Sequence, residues 1–272
     1  KTTEWRSQFS PTKEGYLKQE YEQDIQRLHK EIEEANPNII IAMGSLSLWA
    51  VTGLDKVGTY RGATLQTSLL SSPYKVLATY SPVAVVKNFK WRPHVASDLI
   101  KAKTESLSKK LEHTEREIWI EPTLSDLDTF YNKYISKANH NDPLAFDIET
   151  AEGSIVCIGF APNPRTAIVV PFRDKNTDTQ NYWNATEEVA AWQWVRKILE
   201  DEEIVKVAQN QLYDISWLAH KQKIGITHDT MHAQHSLQPE QEKGLGFLGS
   251  IYTNESAWKT LAKFSKSTKA DE

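Results

Sequence analysis

Two acidic residues with one position between them stand at the end of an apolar stretch of the chain. Asp147 and Glu149 follow residues 144–146, which read Leu-Ala-Phe and predict a β-strand. Residues two apart on a strand point to the same side, so both carboxylates are expected to project together. Carboxylates held close repel one another unless a cation neutralises them, and hard divalent ions such as Mg²⁺ prefer oxygen ligands. The pair indicates a metal site or, taken alone, a charged strand end in water.

A third carboxylate follows another predicted strand of the same half. Residues 204–207 read Ile-Val-Lys-Val and predict a strand, and a helix is expected to begin at Asn210. Asn210 and Asp214 are four positions apart, so both are predicted on one face of that helix. If the two strands share a sheet, Asp214 can approach Asp147 and Glu149. For Asn210 the alternative is a helix cap, because Asn is favoured there.

The other elements of the C-terminal half predict a mixed α/β domain. A tight turn at Glu152-Gly153 is expected to join two of its strands. Thr123 and Asp229 are each expected to cap a helix. The predicted strands are 117–120, 144–149, 154–160, 166–172 and 204–207, and the predicted helices are 124–134, 185–200, 210–220, 229–238 and 244–251.

The N-terminal half alternates helices with strands, which predicts a mostly parallel sheet covered by helices. Its first helix is indicated by apolar residues at steps of three and four. Ser45 is expected to cap the second. The predicted helices are 13–35, 45–50 and a third from after Ser81-Pro82 to about Lys110; the predicted strands are 38–44 and 75–80; and charged residues 101–116 mark the domain boundary.

The formal net charge of −4 is distributed unevenly over the 272 residues. Residues 1–116 hold 17 Lys and Arg against 13 Asp and Glu, whereas residues 117–272 hold 15 against 23. This suits a carboxylate-rich metal site beside a polyanion-binding surface, or reflects ordinary scatter of charge. Cys157 is the only cysteine, which excludes an intramolecular disulfide and a cysteine-rich metal site. No apolar run approaches the ~20 residues of a membrane helix, so no membrane partner is expected.

Basic residues with interleaved aromatics lie near the end of the N-terminal half. Such a mixture suits contact with a nucleic-acid backbone together with base stacking, and the alternative is a solvated helix with core aromatics. Arg61 is a further candidate for a phosphate contact, or a residue that shapes a turn. The candidate nucleic-acid contacts are Arg61, Lys87, Lys90, Trp91 and Arg92, together with Asn210 near the carboxylates.

Taken together, residues 145–150 (Ala-Phe-Asp-Ile-Glu-Thr) and 210–214 (Asn-Gln-Leu-Tyr-Asp) resemble the first two motifs of the DEDD exonuclease superfamily. Residues 228–252 are similar to one branch, the proofreading domain of phage-type family A DNA polymerases. The resemblance covers residues 117–262. It implies a ribonuclease H-like mixed sheet and an exonuclease domain over residues 117–272.

The same resemblance implies hydrolysis with two Mg²⁺ or Mn²⁺ ions. Asp147 would bridge both ions, Glu149 would hold the ion that activates the attacking water, and Asp214 would hold the other through water. These three residues are thus the predicted catalytic and metal-binding set, whereas Leu212 and Tyr213 are predicted to pack. The superfamily's third motif, Tyr-x-x-x-Asp or His-x-x-x-x-Asp, has no match after Asp214. The chain is therefore expected to be a fragment that ends before this motif and lacks one ligand.

A second resemblance, over roughly residues 10–110, is to the uracil-DNA glycosylase superfamily. It implies a three-layer α/β/α domain over residues 1–112. In active members the last motif reads His-Pro-Ser, and Ser81 stands here at the His position. A hydroxyl cannot match an imidazole placed against developing charge, so this domain is expected to be inactive. The stretches that carry the resemblance are 38–44, 58–62 and 76–82.

These resemblances predict the proofreading part of a phage-type family A DNA polymerase, which removes 3′-terminal nucleotides from DNA. The predicted partners are DNA, as a single-stranded 3′ end and a primer–template, and replisome proteins. The predicted compartment is the cytoplasm of a phage-infected bacterium. Two alternatives stay open: a catalytically silent module that binds DNA or a replisome partner, and a stand-alone RNA-trimming nuclease.

Overall fold

The computed structural model describes residues 21–111, 115–136, 142–219, 224–225 and 227–255. Its internal contacts divide the chain into two compact units. One comprises Lys1–Glu112 with Gly244–Glu272, and the other comprises His113–Lys243. The beginning of the predicted helix 13–35, before residue 21, lies outside the described residues.

Among the described residues up to 111, a three-stranded sheet and five helices form the first part of the N-terminal unit. The strands are β1 Ile40–Met43, β2 Thr64–Gln66 and β3 Lys75–Thr79, and the helices are α1 Glu22–Ala35, α2 Ser45–Thr52, α3 Val57–Tyr60, α4 Pro82–Lys87 and α5 Arg92–Glu105. β1 and β3 run parallel, and β2 runs antiparallel on the other side of β3. The sequence predicted a mostly parallel sheet, whereas this sheet has one parallel and one antiparallel pair, because the sequence reasoning missed β2.

The helix after β3 is interrupted, so the single helix predicted up to about Lys110 is wrong. α4 ends at Lys87 and α5 begins at Arg92, with a 3₁₀ turn over Phe89–Trp91 between them. The break falls at Asn88, whose backbone leaves the helical region with φ −137° and ψ 89°. Ser81 caps α4, because its Oγ accepts a hydrogen bond from the backbone NH of Ala84 at 3.2 Å.

The start of α2 also differs from the expected cap. Gly44 occupies the N-cap position with φ 97°, and Ser45 is already the first helical residue. Ser81 lies close to Gly44: a Cβ on Gly44 would lie 3.2 Å from the Ser81 Cβ. Glycine is favoured at this position because L side chains rarely adopt such a backbone conformation.

The core of this unit is centred on β3, whose five residues are all buried. Such a strand needs cover on both of its faces. Lys75 at its start is buried with its ammonium 2.8 Å from a carboxylate oxygen of Glu105. The buried apolar residues of the cluster are Ala42, Leu48, Val51, Val76 and Ala78.

The described residues of the second unit form a six-stranded mixed sheet with four helices. The strands are β4 Glu117–Trp119, β5 Leu144–Ala151, β6 Ser154–Asn163, β7 Thr166–Pro171, β8 Lys206–Ala208 and β9 Thr227–Asp229, and the helices are α6 Leu124–Phe130, α7 Ala185–Glu200, α8 Gln211–Leu218 and α9 Thr230–Leu237. The strand order is β4-β7-β6-β5-β8-β9. β5, β6 and β7 form an antiparallel meander, while β8 runs parallel to β5, β9 parallel to β8 and β4 parallel to β7. The mixed sheet agrees with the prediction.

Local signals predicted the ends of several elements in this unit. Glu152 and Gly153 both have positive φ, at 52° and 76°, and form the tight turn between β5 and β6. Thr123 caps α6, because its Oγ accepts a hydrogen bond from the NH of Asp126 at 3.2 Å. The helix predicted for 124–134 is α-helical only to Phe130 and continues as a π-helical turn over Tyr131–Ile135.

One apolar cluster holds the sheet and helices of this unit together. It takes alternate residues of β5 and β7, as the period of a strand requires, and the inward side of α7. On β6 the alternation is interrupted once, between Ile155 and Ile158. Phe130, Phe160 and Ile198 are its largest fully buried members together with several leucines and isoleucines. None of the helices in the described part of the chain is long and apolar enough to cross a membrane.

The last helix that the structure describes, α10 Leu245–Tyr252, groups with the N-terminal unit. The ammonium of Lys101 on α5 donates to the carbonyls of Gly62 at 2.7 Å, Ser250 at 2.6 Å and Thr253 at 2.6 Å. This grouping differs from the predicted division, in which everything after residue 117 forms one domain. Sequence order favoured that division, whereas hydrogen bonds between residues far apart in sequence link α10 to α5.

Candidate functional site

The acidic pair lies on one exposed side of β5. Asp147 and Glu149 are exposed, whereas Ile148 between them is 4% exposed and packs into the core. This alternation is the period of two that the sequence predicted. A register shift against β6 follows directly, between Glu149 and Thr150. Such a bulge bends the strand and re-aims its side chains at the point where the carboxylates stand.

Asp214 reaches this strand from α8. It is 2% exposed, and its Oδ1 accepts a hydrogen bond at 3.0 Å from the backbone NH of Ile148. Burial raises the pKa of Asp214, and the negative charges of Asp229 and Glu149 raise it further, against the opposing effect of the Ile148 NH. The structure thus brings Asp214 beside the strand segment that carries Asp147 and Glu149.

Asn210 does not belong to the helix that carries Asp214. It precedes α8 in a left-handed conformation, φ 58° and ψ 46°, and its side chain makes no capping bond. The prediction that Asn210 and Asp214 share one helical face is therefore wrong, because the helix begins one residue later. Asn210 is exposed, which leaves its amide available to a ligand.

Asp229 holds the start of α8 in place. Its Oδ1 accepts from the NH groups of Asn210 at 3.1 Å and Met231 at 2.7 Å, and its Oδ2 accepts from the NH of Gln211 at 3.0 Å. Burial acts to raise the pKa of Asp229, but these three NH groups outweigh it, so the pKa lies below its ordinary value. The prediction that Asp229 caps the next helix, α9, is confirmed, and its link to Asn210 and Gln211 was missed.

The donor chemistry of this site fits a hard divalent ion. Asp147 and Glu149 offer exposed carboxylate oxygens, and Asp214 is a buried carboxyl group whose charge is opposed by burial and by neighbouring acids. A cation would relieve that opposition. Among the described residues, however, no group of three His, Cys, Asp or Glu side chains forms a ready metal cage. The three predicted ligands therefore lie on neighbouring segments, β5 and α8, but their carboxylate oxygens do not form one metal cage.

Three further side chains near the pair were misjudged or missed. Leu212 is 73% exposed, so the prediction that it packs is wrong, whereas Tyr213 is 45% exposed and its ring centroid lies 6.3 Å from that of Trp217. The Tyr213 hydroxyl is hydrogen-bonded to the hydroxyl of Thr150, next to Glu149. Cys157 stands opposite Glu149 on β6, and burial, reinforced by the Glu149 charge, raises the pKa of its thiol. Their positions follow from the pairing of β5 with β6 and the start of α8.

Arg61 is not available as a nucleic-acid ligand, which corrects that prediction. Its side chain is 4% exposed. The guanidinium donates to both carboxylate oxygens of Asp98, at 2.6 and 3.2 Å, and to the Ser250 hydroxyl at 2.9 Å. It also lies 5.5 Å from the ring centroid of Phe247. A buried charge needs such partners, and here all of them belong to the N-terminal unit.

The other basic candidates are exposed on the N-terminal unit. Lys87, Lys90 and Arg92 all face solvent. Trp91 is half-buried and stacks on Tyr80, with ring centroids 4.2 Å apart, so its indole serves mainly as packing. Phe89, which the candidate set omitted, is 69% exposed with the Arg92 guanidinium 5.6 Å from its ring centroid. These residues remain candidates for contact with nucleic acid.

The mixed sheet, the acidic pair on β5 and the carboxylate from α8 together form an α/β domain with an acidic candidate site. A family model described as 3′–5′ exonuclease (DNA_pol_A_exo1) matches residues 123–270, more than half of the chain. The chain therefore belongs to the 3′–5′ exonuclease family. No curated protein matches the chain.

Several solved structures resemble the chain over about half of its length. NrnC of Brucella melitensis is 19% identical with a TM-score of 0.36, over 53% of this chain and 63% of that one. The catalytic core of RRP6 from Trypanosoma brucei is 16% identical with a TM-score of 0.40, over 54% and 37%. RNase D of Trypanosoma brucei is 14% identical with a TM-score of 0.33, over 52% and 55%. The chain thus spans less than two thirds of each of these proteins.

Proposed function

We propose that this chain supplies a metal-dependent 3′–5′ exonuclease site, which removes nucleotides from the 3′ end of a nucleic-acid strand by phosphodiester hydrolysis. The observation that carries the proposal is the placement of three carboxylates. Asp147 and Glu149 share the exposed side of β5, and Asp214 is hydrogen-bonded to the NH of the residue between them. Membership of the exonuclease family supports the same conclusion.

The proposed roles follow from exposure and position. Asp147 and Glu149 would hold divalent ions, Mg²⁺ or Mn²⁺, because their oxygens are exposed on one side of the strand. Asp214 would complete the set from α8. When bound, such ions activate a water molecule and stabilise the leaving 3′ oxygen. Asn210, exposed at the start of α8, would contact the substrate.

The experiment combines metal binding with digestion of a 5′-labelled oligonucleotide. We expect Mn²⁺ to raise the melting temperature of the protein and to support shortening of the oligonucleotide. The Asp147→Ala variant should lose both effects. Asp128→Ala, which removes an exposed acid on α6, is the matched control and should keep both. A protein that neither responds to Mg²⁺ or Mn²⁺ nor shortens the strand would contradict the proposal.

Two biological roles of this exonuclease site, which differ in substrate, are candidates. Proofreading within a family A DNA polymerase rests on the sequence resemblance of residues 228–252. RNA trimming by a stand-alone nuclease is the second candidate, and one of the similar structures is named as an RNase D, while none of the three named above is named as a polymerase. DNA and RNA strands of the same base sequence separate the two. Faster digestion of the RNA would favour trimming, and faster digestion of a mismatched DNA end over a matched one would favour proofreading.

For the N-terminal unit we propose a nucleic-acid contact through Lys87, Lys90 and Arg92. The three cations are exposed, no acidic residue occurs between positions 81 and 97, and the neighbouring Phe89 exposes a ring on which a base can stack. The glycosylase-like interpretation of this unit rests on sequence resemblance alone. Its test is excision of uracil from single-stranded DNA, where no activity is expected because Ser81 caps α4 and carries no imidazole.

A further inference from the structure

A pocket of about 370 Å³ opens at the end of the second unit where β5 turns into β6. Two of its lining residues, Ala151 and Ser154, flank that turn. Most of the other lining groups are polar, and Glu152 is the one carboxylate among them. The polar groups used below are Ser154, Arg173, Lys175, Thr179, Gln180 and Asn181.

The wall of this pocket is a loop that is bonded to itself. The Arg173 guanidinium donates to the side-chain oxygen of Asn181, and the two residues also form an isolated β-bridge. The Thr177 hydroxyl donates to the carbonyls of Asp174 and Asn181, each at 3.0 Å. The NH of Asp174 donates to the carbonyl of Gln180 at 3.1 Å. A loop held by its own hydrogen bonds presents its side chains in one arrangement, which lowers the conformational entropy that is lost when a ligand binds.

The two cations of the pocket are exposed, and their charges are not neutralised by an ion pair. Neither Arg173 nor Lys175 forms an ion pair with a carboxylate among the residues that the structure describes. Only one guanidinium nitrogen of Arg173 is used by Asn181, so its other donors can still reach a ligand. The C-terminal half of the chain is acidic, so two such cations there favour binding of an anion near the negatively charged Asp147 and Glu149. A phosphate group matches the geometry of the Arg173 guanidinium.

The pocket and the carboxylates share strand β5. Ala151 lies two positions beyond Glu149, or about 7 Å at the rise of a strand, and four beyond Asp147, or about 13 Å. An extended polynucleotide with its 3′ end at the carboxylates therefore needs only a few nucleotides to bring a backbone phosphate to the pocket.

We propose that this pocket binds a backbone phosphodiester of the strand whose 3′ end lies at Asp147 and Glu149. Arg173 and Lys175 contact the phosphate, and the hydroxyl and amide groups of the lining complete its hydrogen bonds. The inference rests on the proposed exonuclease function and assigns the place where the substrate strand is held. It requires a strand of several nucleotides, so a single nucleotide at the carboxylates leaves the pocket untouched.

The test measures binding without catalysis. A 5′-fluorescein-labelled oligonucleotide of about 20 nucleotides, longer than one binding site, is titrated by anisotropy in EDTA with the Asp147→Ala protein. In this background the Arg173→Gln, Lys175→Gln double variant should bind about tenfold more weakly at low salt. The slope of log K against log salt should fall by about 0.7 for each phosphate that the double variant no longer neutralises.

The matched control is Arg165→Gln. Arg165 is also exposed, but it follows the far end of β6, about 30 Å from the turn at the rise of a strand. This variant should keep the parent affinity and slope. If it loses as much affinity as the double variant, the effect is one of general charge and the proposal is wrong.

A second arm separates a strand contact from a site for free nucleotide. With metal and an intact Asp147, the double variant should raise KM for the oligonucleotide about tenfold and leave kcat unchanged, while hydrolysis of a mononucleotide nitrophenyl ester stays at the parent rate. Equal losses on both substrates would assign the pocket to the terminal nucleotide and overturn the proposal. Absence of hydrolysis in every protein would contradict the exonuclease function instead, and the binding result in EDTA would still decide on the pocket.

Discussion

The carboxylate of Asp214 accepts a hydrogen bond from the backbone NH of Ile148 at 3.0 Å. β8 pairs with β5 only through Leu144 and Ala145, so its pairing stops before Ile148. Asp214 supplies the acceptor that a longer neighbouring strand would have supplied. A buried NH needs such a partner. The same hydrogen bond therefore satisfies the Ile148 NH and places the Asp214 carboxyl group beside Asp147 and Glu149.

The Asp214→Asn variant keeps an oxygen that can accept from Ile148 and removes the charge. Burial raises the pKa of Asp214, so its ionisation at neutral pH costs folding free energy. Stability from this group is present at low pH and is lost as pH rises through the raised pKa. We expect the metal-free variant to melt at a higher temperature than the parent at pH 7, with a difference that shrinks on acidification. Its metal-dependent cleavage should fall by at least about tenfold.

Calorimetric melting curves from pH 4 to pH 8 test this prediction, with Asp128→Asn as the exposed control. A lower melting temperature for the Asp214→Asn variant at pH 7 would show that the ionised carboxylate stabilises the fold.

Replacement of Asp229 by Ala should loosen the start of α8. Three NH groups, from Asn210, Gln211 and Met231, lose their acceptor, which should cost about 2–4 kcal/mol of unfolding free energy. These NH groups hold the pKa of Asp229 below its ordinary value despite burial. The ionised carboxylate therefore makes its full contribution to the unfolding free energy at any pH above the ordinary pKa. This contribution is lost as the pH falls through the lowered pKa.

Urea unfolding at pH 7 and near pH 3 measures this loss, which should be smaller at the lower pH. Cleavage should also fall, because the Asn210 turn that leads into α8 is no longer held. A variant with the parent stability and activity would contradict the positioning role of Asp229.

The Arg61 and Asp98 pair should dominate the stability of the N-terminal unit. Arg61→Met leaves the Asp98 carboxylate buried with only the Thr79 hydroxyl, at 2.7 Å, among its described bonds, and should cost about 3–5 kcal/mol. The double variant Arg61→Met, Asp98→Leu should recover much of this loss. Arg27→Met breaks an exposed ion pair with Asp24 and should change stability by less than about 1 kcal/mol. Denaturant unfolding of the parent, Arg61→Met, Asp98→Leu and the double variant gives the coupling energy, and additive losses would show that the pair is not coupled.

Lys101 should control the attachment of α10. Its ammonium is the shared donor to the carbonyls of Gly62, Ser250 and Thr253, and burial lowers its pKa. In the Lys101→Met variant we expect the amides of α10 to exchange hydrogen at least about tenfold faster, while those of β5 keep the parent rate. Lys103→Met, on the exposed side of the same helix, should exchange like the parent. Equal protection of α10 in both variants would show that other contacts hold it.

Short-range patterns predicted the parts of the structure that depend on neighbours in sequence. The alternation at Asp147 and Glu149, the turn at Glu152-Gly153 and the cap at Thr123 each involve residues within a few positions. Backbone sterics and local hydrogen bonds decide such features, and they act in the same way wherever the segment lies in the fold. The acidic site could be located in the sequence for this reason.

Tertiary structure decided the features whose partners lie far apart in sequence. Arg61 reads as a basic residue open to phosphate, yet Asp98 and Ser250, 37 and 189 positions away, bury it. Asn210 reads as part of a helix, yet its NH is held by Asp229, 19 positions later, in a turn before the helix. Burial and long-range hydrogen bonds depend on where the backbone brings each residue, which no local pattern encodes. The sequence therefore determined which carboxylates form the candidate site, and only the folded chain decided which of the other polar residues are free to act with them.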